Sequence, residues 1–379
     1  MFPFPAIKKK EGVFEIENNY STTGADGFDV SMCDLGNNLS IILYTDRSNN
    51  AYPTVQLVSN AAYKKVGNKV VLSSSAGAYT GGQQFCGQTI CRVSGYNNKF
   101  ACIYRKASDT NLYVVHGIVN ADNTITLGTP TSISSGVVFS ELQYSIDSLT
   151  TDTLLIAKTT DDTYNRADVN VATVSSSDTI DLHTWYSVYS VRTTSIDIKA
   201  NGTTGFCVYV RNNANGYPYA VAATVSGTVI TPGTAIVLDS ERNASREYLA
   251  KIETDKFVCT IHTTTNVYYA VLSISGATVT SGGLVFVAAA SGGYCITIAS
   301  KKVNQFYLVW FDNYDLKHAL YDSTDGDSYT QTKTGTLYDG NSSSYMYFQL
   351  LCFIGGKYVM LAAVTEGTNI SLLLDVIYY

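Results

Sequence analysis

Short apolar runs, separated by polar loops, recur along this chain at strand-like spacing. The most regular run begins at Leu39, Phe100, Thr153, Phe206, Phe257, Phe306 and Tyr358, giving seven copies roughly fifty residues apart. Each copy sits inside a larger unit: an apolar strand, a loop, this second strand, then a turn before further strands. A fixed period of that size with about four strands per period predicts a β-propeller. The expected fold is therefore all-β: a seven-bladed β-propeller of four-stranded antiparallel blades. Inner strands are expected near residues 28–34, 88–94, 141–147, 194–199, 247–253, 293–299 and 345–353. Six blades, or two stacked sandwiches, are the alternatives. Residues 245–254 come nearest to helical spacing, but their place in the repeat makes them the first strand of a unit.

A second landmark keeps the same period. Thr124-Ile-Thr-Leu-Gly-Thr129, Val229-Ile-Thr-Pro-Gly-Thr234 and Thr278-Val-Thr-Ser-Gly-Gly283 are versions of one turn. Gly67 and Gly335 fill the slot in looser copies, and His183 replaces the glycine in another. An apolar residue follows five positions on at Leu72, Ile133, Leu238 and Val287. A glycine repeated at one place in a strand pair points to a positive φ or a bulge, a backbone requirement rather than a ligand role.

The last unit offers only three strands before the chain stops, which would leave an unpaired edge. Near the other terminus Val13, Phe14, Glu15, Ile16 and Glu17 alternate apolar and acidic. That segment is expected to complete the last blade and close the ring. The expected organisation is an N-terminal arm at 1–11 and a single propeller domain over 12–379.

Composition narrows the function classes. Charged residues make up only 15% of the chain and the net charge is −6, which argues against a phosphate-backbone surface and hence against nucleic acid as a partner. Every apolar run stops within about ten residues, too short for a membrane-spanning helix, so no membrane insertion is expected. Prolines at 3 and 5 interrupt the place of a leader's apolar core, and the lysines follow it; synthesis in a cytoplasm is expected. The eight cysteines mostly occupy strand positions that hold Val, Ile or Leu in other units, and read as reduced, buried small hydrophobes. Cys86 and Cys91 lack CxxC spacing and the four histidines fall in different units, so neither a metal nor any other cofactor is expected.

Candidate chemistry concentrates in the loops between second and third strands, at 46–52, 105–111, 159–166, 211–217, 262–266, 312–317 and 365–369. All lie on one face of a propeller. Their Asp, Asn, Arg and Tyr residues suit turns, and equally suit carbohydrate, since amides and carboxylates meet hydroxyls and rings meet the apolar face of a sugar. Arg105, Asp109, Tyr164, Arg166, Arg211 and Tyr217 are the densest mixture of guanidinium, carboxylate and phenol, and are the candidate ligand or partner contacts. His116 reads as a satisfied wall residue. Asp161-Asp162 is an acidic pair in a turn, and no nucleophile elbow or P-loop appears. Ser323-Thr-Asp-Gly-Asp-Ser-Tyr-Thr330 resembles the Asp-box turn of sialidases in part, with Ser323 and Asp325 matching and the glycine, threonine and tryptophan replaced. That box is a structural clip, so no catalytic residue follows from it, and the chain reads as a non-enzyme.

The phrase Ser-Gly-x-x-Val/Ile-Thr-x-Gly-Thr between apolar strands is best formed at 226–240 and 275–289. It resembles repeats in virion proteins of tailed bacteriophages, where they build tail-fibre and tail-appendage propellers. The resemblance implies a structural component of a virion, made in the host cytoplasm, with other virion proteins as partners and a host-surface glycan as a possible contact. A carbohydrate-binding propeller outside any virus is the alternative, and a glycan-cleaving enzyme stands behind it.

Overall fold

The computed structural model describes residues 13–21, 30–46, 52–62, 64–74, 89–106, 111–133, 143–160, 166–175, 178–212, 214–244, 246–263, 265–290, 296–302, 304–312, 315–325, 328–338, 344–354, 357–366 and 369–377. Among them every regular element is a β-strand. The first sheet holds β2 (Val30–Gly36), β3 (Leu39–Asp46), β4 (Tyr52–Ser59) and β5 (Lys65–Val71), paired in that order. The second holds β6 (Ile90–Arg92), β7 (Lys99–Arg105) and β8 (Leu112–Val119), whose outer partner is split into β9 (Ile125–Leu127) and β10 (Thr131–Ser132). The third is β11 (Tyr144–Thr150), β12 (Thr153–Thr159), β13 (Ala167–Val174) and β14 (Ile180–Tyr189).

The fourth sheet is β15 (Thr193–Asn201), β16 (Gly205–Asn212) and β17 (Pro218–Ser226), again with a split outer strand, β18 (Val229–Pro232) and β19 (Ile236–Val237). The fifth is β20 (Arg246–Glu253), β21 (Lys256–His262), β22 (Asn266–Ser275) and β23 (Thr278–Ala289). The sixth is β24 (Ile296–Lys302), β25 (Gln305–Asp312), β26 (Asp315–Asp322) and β27 (Thr330–Tyr338). A further sheet combines β28 (Ser344–Ile354), β29 (Lys357–Glu366) and β30 (Asn369–Ile377) with β1 (Val13–Ser21), which pairs antiparallel with β30.

Each sheet is a meander because consecutive strands are joined by short turns, and antiparallel neighbours need no crossover. The second strands are apolar on both faces and buried nearly throughout, as in β7, β12 and β21. One face packs on the preceding sheet and the other on the following one. Phe100, Cys102 and Tyr104 join a core with Ile41, Leu43 and Val55 of the first sheet. Ala101 and Ile103 instead meet Ile146, Leu154 and Ile156 of the third. The same alternation splits β16: Phe206, Val208 and Val210 pack toward the third sheet, Cys207 and Tyr209 toward the fifth. Full burial of each such side chain is worth about 1.5–3 kcal/mol, so the cores between the sheets bind them into one body.

The first strands stand side by side in the order β2, β6, β11, β15, β20, β24, β28, and β28 also lies against β2. They do not share a ladder, so each exposes edge amides that need other acceptors. Side chains from neighbouring sheets supply them. Asp147 Oδ2 accepts from Ala200 N at 2.8 Å, Asp197 Oδ2 from Leu249 N at 2.9 Å and Ser31 Oγ from Thr89 N at 3.1 Å. Ser145 Oγ also donates to Asp197 Oδ1 at 2.8 Å.

The repeated glycine has a specific cause. A Cβ on Gly128 would lie 2.0 Å from the carbonyl oxygen of Asp178, and one on Gly233 1.7 Å from that of Ala277. On Gly67 it would lie 2.4 Å from that of Asn123. In all three the oxygen belongs to the turn between third and fourth strands of the next sheet, so each turn seats in a notch of the sheet before it. Gly67 also has φ +65°, whereas Gly128 and Gly233 do not need the left-handed region. At Gly128 and Gly233 the expected bulge is present without a positive φ, since 127–131 runs opposite 114–117, five residues against four, and 232–236 likewise opposite 220–223; close approach between sheets adds a second reason for glycine. His183 occupies the slot in the third sheet.

His116 is not the satisfied wall residue that the sequence implies. Its side chain is fully buried, its Nδ1 lies 3.6 Å from Asp178 Oδ1, and neither ring nitrogen makes a hydrogen bond among the described residues. Burial lowers its pKa below the ordinary 6.5, against a smaller upward pull from Asp178. The folded chain therefore resists a proton that the unfolded chain accepts. This contribution to stability is complete above about pH 6.5 and is lost as pH falls through that value. Thermal melts at about pH 7.5 and about pH 5 are expected to show a larger acid loss for wild type than for His116→Leu; equal losses would remove His116 from the account.

Candidate functional site

Second strands end, and third strands begin, on one face. Arg105 closes β7 opposite Leu112, and Arg211 is the penultimate residue of β16, opposite Pro218. In each case the partner is the first residue of the third strand. Both arginines continue the side-chain alternation of their strands. Arg105 has the parity of Ala101 and Ile103, which face the third sheet, and Arg211 that of Cys207 and Tyr209, which face the fifth. They therefore occupy equivalent places in two junctions, second–third and fourth–fifth.

Their environments differ from that of an ordinary turn. Arg105 is only 2% exposed, and among the described residues its Nε, Nη1 and Nη2 are all buried without a hydrogen-bond partner. It was read as a loop residue; the structure makes it the buried end of a strand. Arg211 is half-buried, and its Nε is buried and likewise unbonded. Arg166 is half-buried just before β13; its amide donates to Thr160 Oγ1 at 2.7 Å and its carbonyl accepts from Thr160 N at 2.7 Å, which pins the loop end. Tyr217 is half-buried, and its amide donates to Asn215 Oδ1 at 3.0 Å. Asn212 organises that loop: its Oδ1 accepts from Ala214 N at 2.8 Å and its Nδ2 donates to Tyr189 Oη at 3.1 Å. Asp109 and Tyr164 lie outside the described residues, as does the Asp161-Asp162 pair. The structure thus brings Arg105 and Arg166 to one junction region and places Arg211 with Tyr217 at another.

Each arginine-bearing junction also holds a cation on an aromatic ring, which the sequence reading missed. Lys158 Nζ sits 4.7 Å from the centroid of Trp185 on the third sheet. At the other junction the Arg242 guanidinium carbon is 5.0 Å from the Tyr268 centroid, and Arg242 Nη1 pairs with Asp239 Oδ2 at 2.9 Å. Tyr268 in turn meets Phe286 edge-on at 5.7 Å, and Phe286 is 56% exposed. Lys158 was hidden inside an apolar run, and Arg242 lies far from the second-to-third loops in sequence.

Chemistry of the nucleophilic or metal kind finds little purchase among the described residues. No group of three or more metal-ligating side chains occurs there. The five cysteines described, Cys33, Cys91, Cys102, Cys207 and Cys259, are buried and form no disulfide, and burial pushes the thiols of Cys91, Cys102 and Cys207 well up, away from thiolate reactivity. Ser323 Oγ donates to Asp325 Oδ1 at 2.8 Å, and Asp325 Oδ1 accepts from Ser328 N at 2.9 Å. Those bonds tie Ser323, Asp325 and Ser328 together, in keeping with a clip. No described helix is long and apolar enough to cross a membrane.

No family model matches the chain, and no curated protein matches it. Solved structures do. AofleA from Arthrobotrys oligospora is similar with a TM-score of 0.53 and 8% identity, over 87% of this chain and 90% of that one. The Dos1 propeller is similar with a TM-score of 0.53 and 10% identity, over 91% and 78%. A prolyl endopeptidase is similar with a TM-score of 0.50 and 12% identity, over 89% of this chain and 46% of that one. At these identities the likeness concerns the fold alone. The chain is a β-propeller of antiparallel four-stranded units.

Proposed function

We propose that this chain is a seven-bladed propeller closed by β1, and that it serves as a non-enzymatic component of a bacteriophage virion, tail- or fibre-associated, in assembly or host-surface attachment. The ring reading is supported by the contact of β28 with β2 and by the pairing of β1 with β30. The observation that carries the attachment reading is the pair of arginines at equivalent places on one face, each at a junction beside a cation–aromatic pair. Arginine and aromatic rings are the groups that most often anchor interfaces. The virion assignment draws on the Ser-Gly-x-x-Val/Ile-Thr-x-Gly-Thr repeats. The same junctions also favour a second reading, a glycan-binding propeller outside a virus.

Mass spectrometry of purified particles tests the assignment directly. The chain is expected in the particle at a copy number matching tail symmetry. Its absence from particles, with glycan binding by the isolated protein, would leave the second reading. Hydrolysis of glycosides at enzyme-like rates would overturn both.

A further inference from the structure

A guanidinium taken out of water without a partner is among the most unfavourable groups a protein can bury. Buried polar atoms are bonded in the great majority of cases, so an exception calls for a reason. Arg105 is such an exception, with all three side-chain nitrogens buried and unbonded among the described residues. It is not isolated, because Arg211 repeats the arrangement two units later, at the same strand end and the same parity, with its Nε also buried and unbonded. Recurrence at equivalent places separates this from an accident of one loop.

The surroundings select the kind of partner. At the first junction Lys158 lies over Trp185, which places an indole there. At the second, Arg242 is already paired with Asp239 and lies over Tyr268, with Phe286 exposed beside that ring. The guanidinium left without a partner at each junction matches one compact anion, which its fork grips in bidentate fashion, and a ring at the same junction matches an apolar face. The net charge of −6 disfavours a long polyanion, which senses the whole surface field, far more than a single anionic group held locally.

We propose that the second–third and fourth–fifth junctions each bind the carboxylate or phosphate of an acidic sugar, held by Arg105 in one and Arg211 in the other. This rests on the attachment reading only for the source of the sugar; the two sites follow from the arginines.

Calorimetry and thermal melts on the full-length protein at fixed ionic strength test it, with glucuronate, glucose 6-phosphate, glucose and inorganic phosphate as probes. Glucuronate or glucose 6-phosphate is expected to bind at two sites per chain and about ten- to a hundredfold more tightly than glucose, the span expected for hydrogen bonds to a charged group. The tighter of the two identifies the anion. Arg105→Met and Arg211→Met should each remove one site, and the double variant both. Without any sugar, Arg105→Met should melt no lower than wild type, since an apolar chain of similar length relieves the unpaired charge. Four results would overturn the proposal: binding of glucose as tight as either acidic sugar, unchanged binding by the double variant, inorganic phosphate binding more tightly than both sugars, or a ligand-free melt of Arg105→Met well below wild type. The particle proteome is independent of these outcomes. Acidic-sugar binding by a protein absent from particles sinks the virion assignment alone, and a particle-borne protein indifferent to acidic sugars sinks this inference alone.

Discussion

Deleting residues 1–21 is expected to cost the fold on the order of 5 kcal/mol, taking about 1 kcal/mol net for each backbone hydrogen bond lost along β1. The strand aligns with β30 from Val13 opposite Asp375 to Ser21 opposite Asn369, with two register shifts on the way. Its removal converts β30 from an interior strand into an edge and exposes a row of unpaired amides and carbonyls, the usual template for association between chains. Urea titration should show a lowered midpoint, and light scattering should show aggregation that full-length protein lacks. A truncated protein that melts as wild type and stays monomeric would mean that β1 contributes nothing to holding the last sheet.

Gly233→Ala should also be severe, at about 2–3 kcal/mol or more, although alanine is ordinarily no worse than glycine in a strand. The added methyl would lie 1.7 Å from the Ala277 oxygen, so the whole turn of the fifth sheet must back away. Two companion substitutions isolate that cause. Gly227→Ala meets no atom within 4 Å but sits at φ +61°, so only the left-handed strain of about 1 kcal/mol should appear. Gly282→Ala meets nothing closer than 3.9 Å and carries no positive φ, and should fall within about 0.5 kcal/mol of wild type. Urea midpoints in the order Gly282→Ala, Gly227→Ala, Gly233→Ala, from most to least stable, would establish the notch. If Gly233→Ala were as mild as Gly282→Ala, the close approach would not govern stability.

What the sequence made legible is what depends on a single repeat. Second strands stood out because both of their faces are buried, which leaves apolar residues at nearly every position from Phe100 to Tyr104 or from Phe257 to Ile261. First strands were expected within a few residues of where they lie: 28–34 against β2 and 247–253 against β20. What escaped is what lies between repeats. The partners of Gly128 and Gly233 are carbonyls about fifty residues downstream, in the next unit, and Asp197 takes its amide from Leu249 likewise. No local pattern encodes such a pairing. Arg105 was assigned to a turn because a polar segment follows it, yet β7 runs through it and buries it. Lys158 was overlooked for the converse reason, lying in a largely apolar strand with its ammonium over an indole ring. Tyr217 and Arg166 do flank loops as expected.

The seating of one sheet's turn in the notch of its predecessor has a consequence for how such a chain changes over generations. Notch and turn of one joint lie in different repeats, so duplicating a repeat cut at its sheet boundaries copies one half of each lock. A new copy fits only where its own notch meets a compatible turn and its own turn meets a glycine. The heritable module therefore runs from glycine to downstream turn, straddling two sheets.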